Sequence, residues 1–300
     1  MGFIGVTTGS SSIRDIFPRW AEVLGLPTST LVGHDITLDA PDETYRHVVR
    51  QIKDDPNHRG ALVTTHKMNL FRAAGDLFDE FDPLVQTFRE ISSIAKRGSR
   101  LVGAAKDPVT VDLALREFLP TDHFTHTGGA ALILGSGGAG SALSYQLGKR
   151  ADAPTSIICT ALEPGSLAHC RELHERGGID QSRMRYEITS GCDQVDRLLG
   201  SLPPASLVVN ATGMGKDRPG SPLSDAACFP ERAVVWDFNY RGTLEFLQQA
   251  RQQQAARALN VQDGWRYFIH GWTQVISDVF EVNVSPETVA RLGEVAAEVR

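Results

Sequence analysis

The chain has 300 residues, of which 41% are hydrophobic and 22% charged, and it carries a formal net charge of −6 at pH 7. Its length exceeds the usual single-domain size of about 100 to 200 residues, so we expect two domains. The acidic balance, without long basic runs, argues against a nucleic-acid partner and against binding to anionic membranes. No apolar run approaches the roughly 18 residues of a membrane span, and residues 1–26 lack a signal-peptide pattern. We therefore expect a cytoplasmic protein.

The spacing of cysteine and histidine residues argues against the commonest metal and disulfide frameworks. The chain has no C-x-x-C pair and no H-E-x-x-H. We predict no metal site and expect the four cysteines to be small buried hydrophobes in a reducing cytosol. These are Cys159, Cys170, Cys192 and Cys228.

The N-terminal part of the chain predicts βα units. Residues 3–8 have the pattern of a strand and residues 13–24 that of an amphipathic helix, and an extended segment over 29–38 precedes a helix over 41–53. Three serines, Ser10 to Ser12, lie between the first strand and its helix. Their hydroxyls serve either as helix N-caps or as contacts for a polar ligand.

Polar side chains follow the third predicted strand. Residues 60–65 lead directly into His66 and Lys67, before a helix that begins near Met68. In open α/β sheets, ligand groups lie at the carboxyl ends of strands, so Lys67 is a candidate ligand group. The alternative is a solvated surface lysine.

The next segment predicts a hairpin, a helix and a linker. Strands over 90–95 and 100–104 are joined by a turn over 96–99, and an amphipathic helix runs from Pro108 to about residue 119. Asp107 directly precedes this proline, so by itself it fits the role of an N-cap. The polar segment 120–129 is predicted to be a linker.

A glycine-rich turn follows the apolar strand over 131–134 and precedes a helix over 139–149. Its glycines form G-x-G-x-x-G, in which they permit a tight turn, close approach to a pyrophosphate and close helix–strand packing. The helix N-terminus also directs unpaired N–H groups at a phosphate. We predict a dinucleotide site here rather than a simple turn, formed by Gly135, Ser136, Gly137, Gly138, Ala139 and Gly140.

Strands and helices alternate through the rest of the chain. We predict strands over 156–160, 184–188, 207–210 and 233–238, and helices over 167–176, 192–199 and 243–257, the last capped by Thr243. The chain then crosses back near 262–264. A long helix over 265–280 places His270 and Gln274 one turn apart, and Pro286 starts a final helix.

Taken in order, these motifs resemble the shikimate/quinate dehydrogenase family over essentially the whole length. The S-x-S, V-T-x-P-H-K and T-D-G segments of that family correspond to residues 10–12, 63–67 and 106–108. Its N-A-T-x-x-G-M and Asp-x-x-Tyr segments correspond to 210–215 and 237–240, and its D-G-L-x-M-L-x-x-Q-G to 263–271. The lysine motif is one residue short here and lacks the proline.

The resemblance implies an α/β protein with two domains. A substrate-binding domain would comprise residues 1–107, completed by 263–300, and a Rossmann NAD(P)-binding domain would comprise 108–262. Lys67 and Asp107 would form the catalytic pair of an alcohol–ketone oxidoreduction. The substrate-binding positions implied are Ser10, Ser12, Thr64, Ser92, Tyr240, His270 and Gln274. Beyond the glycine loop, the cofactor-binding positions are Thr160, Asn210, Ala211, Thr212, Met214 and Phe238.

Several positions depart from the family pattern. Where the family has asparagines around its substrate, this chain has Leu62, Ser92 and Ala105. Hydrogen bonds to shikimate hydroxyls are thereby lost, so we expect a related polyol or cyclitol acid as substrate. Lys106 replaces a threonine of the family. It offers a new anion contact or is simply a solvated lysine, and we expect the latter.

The cofactor implied is NAD or NADP, with NAD favoured. NADP-preferring members have an N-R-T segment after the second nucleotide-domain strand, and this chain has no arginine there. The partner expected is a small molecule, and the chain is expected to be a monomer or homodimer. Two alternatives remain at this point: a methylene-tetrahydrofolate dehydrogenase-like enzyme, and a catalytically silent NAD(P)-binding regulator.

Overall fold

The computed structural model describes residues 1–216 and 218–299, which divide into two compact units. Unit 1 consists of Met1–Asp107 together with Ile269–Arg300, and unit 2 consists of Pro108–Phe268. Each unit contains a six-stranded sheet with accompanying helices. The predicted α/β fold class is confirmed.

The elements are numbered in chain order. The strands are β1 Gly2–Gly5, β2 Val32–Asp35, β3 Gly60–Val63, β4 Glu80–Phe81, β5 Ser93–Arg97, β6 Arg100–Ala104, β7 Ala131–Leu134, β8 Ile157–Ala161, β9 Met184–Ile188, β10 Leu207–Asn210, β11 Val234–Asp237 and β12 Asn260–Gln262. The helices are α1 Ile13–Leu24, α2 Asp42–Asp54, α3 Lys67–Ala74, α4 Pro83–Phe88, α5 Asp107–Arg116, α6 His123–Thr127, α7 Gly138–Lys149, α8 Pro164–Arg176, α9 Cys192–Gly200, α10 Glu245–Arg257, α11 Trp265–Phe280 and α12 Pro286–Ala297.

The sheet of unit 1 is mixed and has the strand order β2-β1-β3-β5-β6-β4. Strand β1 pairs parallel with β2 and β3, whereas β5 runs antiparallel to both β3 and β6. This alternation brings the end of β3, the approach to β5 and the end of β6 to the same edge of the sheet. The segments that lead to Lys67, Glu90 and Asp107 therefore meet there.

The sheet of unit 2 is parallel throughout, with the order β12-β11-β10-β7-β8-β9. This is the doubly wound order of dinucleotide-binding domains. Successive strands are added on one side of β7 up to β9 and then on its other side from β10 onward, so the topological switch point lies between β7 and β10. Leu134 at the end of β7 pairs with Asn210 on one side and Thr160 on the other. A buried core that includes Leu132, Val208 and Val235 supports the sheet.

Two predictions about connecting segments are wrong. The segment 120–129 contains α6, which forms because Phe124 is buried and its N–H is bound by Asp152 Oδ2 at 3.2 Å. Thr243 does not cap α10, because its hydroxyl bonds Gly215 O and Glu245 Oε2. The helix instead begins after Leu244, which has a φ of 53°.

The hairpin of unit 1 is also displaced from its predicted position. Strand β5 begins at Ser93 rather than residue 90, and pairing continues to Arg97 opposite Arg100. The turn is consequently only two residues long, with Gly98 at a φ of +64°. Residues 90–92 form an irregular approach to the strand.

The cysteines are not uniformly buried, contrary to our expectation. Cys159 and Cys170 are buried, Cys192 is half-buried, and Cys228 is exposed. Cys228 lies in a loop between β10 and β11, outside any regular element that would bury it. Across residues 1–216 and 218–299, no helix is both long enough and apolar enough to cross a membrane.

Candidate active site

Hydrogen bonds donated by backbone N–H groups hold three segments together at the edge of the unit 1 sheet. Ile91 N donates to Lys67 O at 3.1 Å, and Ser92 N donates to Ala104 O at 2.9 Å. Lys106 N in turn donates to Ser92 Oγ at 2.6 Å. The first turn of α3, the approach to β5 and the start of α5 are thereby fixed relative to one another.

Lys67 and Asp107 form an ion pair at this edge. Lys67 Nζ donates to Asp107 Oδ2, and the two side chains are only 20% and 10% exposed. Lys67 is therefore not a solvated surface lysine. The preceding His66 is buried, with ring nitrogens 3.1 Å from Tyr45 Oη and 2.8 Å from Ile36 O, and so it anchors the start of α3.

Glu90 brings a second carboxyl group to the pair. Its side chain is buried, and burial raises the pKa of its carboxyl to about 8, with repulsion from Asp107 adding to the effect and attraction to Lys67 opposing it. Burial by itself would lower the pKa of the Lys67 ammonium. Attraction to Asp107 and the hydrogen bond to its carboxylate outweigh this desolvation and raise that pKa, and Glu90 adds to the attraction only when it is ionised. Lys67 is consequently held as the ammonium.

Asp278 on α11 organises the charges next to this group. Its carboxylate accepts from Ser93 Oγ at 2.6 Å and from Arg97 at 3.1 Å, and it lies 3.8 Å from Lys106 Nζ. The Lys106 side chain is only 20% exposed. The expectation of a solvated lysine at position 106 is therefore wrong, because an acidic side chain from α11 draws the ammonium inward.

The remaining predicted substrate positions are distributed over both units. In unit 1, Thr64 Oγ1 donates to Ile4 O at 3.2 Å. Ser92 is buried beside Lys106, His270 is buried, and Gln274 is half-buried on α11. Tyr240 belongs to unit 2, where its ring lies 4.7 Å from that of Phe268.

The serine segment of unit 1 does not provide the helix caps that its composition suggests. Ser10 is exposed, and its hydroxyl donates to Thr7 O at 3.4 Å. Ser12 occupies the N-cap position of α1 without a side-chain capping bond. Thr8 anchors the segment instead, since its N–H and hydroxyl both donate to Asp35 Oδ1.

Unit 2 contains a cavity of ≈ 530 Å³ at the carboxyl ends of four neighbouring parallel strands. This is where open α/β sheets bind their ligands. Seven of the predicted cofactor-binding residues line it: Gly135, Ser136, Gly137, Thr160, Ala211, Thr212 and Met214. Gly138, Ala139 and Gly140 form the first turn of α7 and do not appear among the lining residues.

The glycine loop has the geometry that a dinucleotide phosphate requires. Gly135 has a φ of +96°, which turns the chain sharply at the end of β7. An added Cβ at Gly140 would overlap the Gly135 carbonyl oxygen, so the loop and helix approach each other closely. An added Cβ at Gly137 would meet no atom within 4 Å. The space in front of Gly137 is thus open to a ligand, and the residues fit a dinucleotide.

Asn210 and Phe238 lie outside the cavity lining. Asn210 is buried and stabilises the following loop, since its Oδ1 accepts from Thr212 and its Nδ2 donates to Met214 O at 3.2 Å. The same amide lies 3.2 Å from Asp237 Oδ2, whose carboxyl has a pKa raised by burial to about 7. The Phe238 ring stacks on Tyr267 at 4.7 Å.

Several residues at these sites were not predicted from the sequence. In unit 2, Thr189 and Ser190 follow β9 and line the cavity, as does Leu162 after β8. Their position directly after predicted strands is a signal that could have identified them. Glu90 in unit 1 had no such signal. Among the described residues, no group of three or more histidine, cysteine, aspartate or glutamate side chains is arranged to hold a metal ion.

Comparison with known proteins supports the resemblance noted in the sequence. No family model matches the chain. It is 30% identical over 177 residues to a shikimate dehydrogenase (NADP(+)) of Streptococcus thermophilus, and 30% identical over 181 residues to that of Symbiobacterium thermophilum. These matches cover 59% and 58% of this chain, and the chain spans only 58% and 56% of the length of these relatives.

Solved structures agree with the fold over almost the whole chain. A quinate dehydrogenase from Corynebacterium glutamicum in complex with NAD has a TM-score of 0.74 at 17% identity, with 99% of this chain and 98% of that chain covered. A shikimate 5-dehydrogenase from Thermus thermophilus in complex with NADP(H) and shikimate has a TM-score of 0.72 at 23% identity, with coverages of 100% and 98%. At these identities the structures establish the fold.

Proposed function

We propose that the chain, which is similar to shikimate dehydrogenases, is an NAD(P)-dependent dehydrogenase that interconverts a secondary alcohol and a ketone. The observation that carries this proposal is the ion pair of Lys67 and Asp107. An ammonium held next to a carboxylate in a partly buried site suits proton transfer at a carbonyl or hydroxyl oxygen.

Lys67 is the proposed proton donor and acceptor. In ketone reduction, its Nζ ammonium gives one proton to the carbonyl oxygen as the carbonyl carbon receives a hydride, and a neutral amine remains. In alcohol oxidation, the amine takes back the hydroxyl proton. The raised pKa of Lys67 means that the ammonium predominates at neutral pH, so the donor form is the resting state. Asp107 orients Nζ and balances its charge.

Unit 2 is the proposed cofactor-binding unit. When bound, a nicotinamide dinucleotide supplies the hydride donor or acceptor of the reaction. Gly135, Ser136 and Gly137 would hold its pyrophosphate at the N-terminus of α7. Thr160 and Thr212 would contact it from the ends of β8 and the loop after β10.

We further propose that NAD is preferred to NADP. The segment 160–166 after β8 contains no lysine or arginine, and its Glu163 lines the cavity. A carboxylate at this position accepts hydrogen bonds from a ribose but repels a 2′-phosphate. The Streptococcus and Symbiobacterium relatives are named as NADP(+) enzymes, which argues against a preference for NAD. The preference therefore requires a direct test.

The proposed substrate is a hydroaromatic or cyclitol acid other than shikimate. Leu62 and Ala105 are buried and apolar where the family has hydrogen-bonding asparagines. Each hydroxyl that loses a partner in a buried site costs about 1 to 3 kcal/mol, so shikimate should bind weakly.

A substrate screen tests the proposed function. The purified chain would be incubated with shikimate, quinate, cyclitols and methylene-tetrahydrofolate, each with NAD⁺ and NADP⁺, and reduction followed at the nicotinamide absorbance band. We expect turnover with a cyclic polyol acid and NAD⁺. Turnover of the folate alone would favour the methylene-tetrahydrofolate alternative. Cofactor binding without any reduction would favour a silent regulator.

A further inference from the structure

Glu90 is a buried acid that the proposed reaction does not use. The residue is only 2% exposed, and its Oε1 has no hydrogen-bond partner among the described residues. Buried polar atoms of folded proteins are nearly always hydrogen-bonded, so an exception points to a role other than packing. Backbone bonds on either side fix its position, since Arg89 N donates to Val85 O and Ile91 N donates to Lys67 O.

The charged groups that act on the Glu90 carboxyl come from the first turns of two helices. Lys67 lies at the start of α3, and Asp107 lies at the start of α5. The other ionisable groups nearby have partners elsewhere. The Arg89 guanidinium stands 5.9 Å from the Phe71 ring, Lys106 pairs with Asp278, and His66 bonds Tyr45 and Ile36.

We propose that Glu90 is a positioning residue for Lys67, kept as a neutral acid so that the ammonium has Asp107 as its single counter-ion. In this state the three side chains carry no net charge. Ionisation of Glu90 at alkaline pH gives the group a charge of −1. That charge opposes the negative charge that develops on the substrate oxygen and repels an anionic substrate, so turnover falls.

The ionisation properties of the group agree with this role. Burial is the main cause of the raised pKa of Glu90, about 8, and the Asp107 carboxylate raises it further. The neutral acid therefore predominates at neutral pH. The inference rests on the proposed function, because only a proton-transferring Lys67 would be sensitive to this charge.

The test compares the wild type with Glu90→Gln, which keeps the shape of the side chain but cannot ionise. The ratio of wild-type to variant kcat/KM is measured from pH 6 to 9.5, since this ratio removes every titration that the two proteins share. We expect a constant ratio up to about pH 7 and a fall of about fivefold or more by pH 9.5. A ratio that stays constant over the whole range would overturn the proposal.

Two controls separate this role from packing. Glu80→Gln removes a more exposed carboxylate of the same unit, which pairs with Arg100, and should leave the pH profile unchanged. Glu90→Leu removes both the charge and the polar atoms. The pH profile of its kcat/KM should have the same shape as that of Glu90→Gln. A merely structural role of Glu90 would instead lower kcat/KM by the same factor at every pH in both variants.

A carbon-13 NMR titration of labelled glutamate side chains gives a readout without turnover. The Glu90 resonance is assigned by its loss in Glu90→Gln. We expect it to titrate near pH 8. Titration below pH 6 would overturn the inference even in an active enzyme. An enzyme without turnover on any substrate would instead overturn the proposed function.

Discussion

At the scale of residues, the ion pair of unit 1 is notable because two oppositely charged side chains are withdrawn from water together. Burying charges is costly unless they are paired, and Lys67 and Asp107 are each largely covered. A surface pair would contribute little and would be screened by salt. The arrangement therefore makes more sense as a way of holding a proton at Nζ than as a contribution to stability.

Glu90 should make the stability of the fold depend on pH. Its pKa of about 8 in the folded state lies above the unfolded value of about 4.3, so between these values only the folded state keeps the proton. The bound proton makes its full contribution to the free energy of unfolding below about pH 4, and this contribution is lost as the pH rises through 8. Compared with Glu90→Gln, the free energy of unfolding of the wild type should fall by an amount on the order of 3 kcal/mol between pH 5 and 8.

Urea denaturation of both proteins at pH 5, 6.5 and 8 measures this difference. Glu80→Gln serves as the control, because its carboxylate is about half exposed. Parallel pH dependences of the wild type and Glu90→Gln would contradict a raised pKa at Glu90.

At the scale of elements, the glycine loop offers a matched pair of substitutions. Gly140→Ala would place a Cβ against the Gly135 carbonyl, so it should lower the free energy of unfolding by about 1 to 3 kcal/mol. Gly137→Ala would place its Cβ in open space and should change stability by less than about 0.5 kcal/mol. Because that Cβ extends into the cavity, it should weaken dinucleotide binding about tenfold, or roughly 1.4 kcal/mol.

Thermal unfolding and calorimetric titration with NAD⁺ distinguish the two variants. Wild-type affinity in Gly137→Ala would show that the dinucleotide does not approach this glycine. Unchanged stability in Gly140→Ala would show that the loop can move away from the helix.

Elements with strong periodicity could be predicted from the sequence almost to the residue. Helix α11 and strands β9 and β10 begin and end where the apolar pattern begins and ends. Helix α6 could not be predicted, because a buried Phe124 and the distant Asp152 hold it in place. The start of β5 was also wrong, since pairing with two other strands decides it.

The residues of the candidate site likewise divide into those that could be predicted from the sequence and those that could not. The glycine loop and Lys67 occupy ends of strands that have local sequence signals, and the resemblance to a family added Asp107. Glu90 and Asp278 depend on strand order and on a helix from the C-terminal end of the chain. Local sequence contains no information about those contacts, so neither residue was identified.

At the scale of the whole molecule, the two units carry different parts of the proposed chemistry. The ion pair belongs to unit 1, and the cavity with its glycine loop belongs to unit 2. A ligand that binds only the folded state stabilises it by about 2.7 kcal/mol at a concentration 100 times its Kd. NAD⁺ should therefore raise the unfolding temperature of the transition that includes unit 2.

Hydrogen exchange measures where this stabilisation arises. Protection by NAD⁺ should be greatest in the segments after β7, β8, β9 and β10 that line the cavity. Protection confined to other segments would contradict the assignment of the cofactor site. Repeating the experiment with NADP⁺ tests the proposed preference.

The kcat of Lys67→Ala is the most direct test of the central claim that Lys67 transfers the proton of an alcohol–ketone reaction. With the substrate identified by the screen, we predict a loss of about 10² to 10⁴ in kcat, while the Kd for NAD⁺ stays within about twofold of the wild type. Lys53→Ala, which removes a lysine that pairs with Asp79 on the surface of the same unit, should retain wild-type kcat. An unchanged kcat in Lys67→Ala would contradict the account.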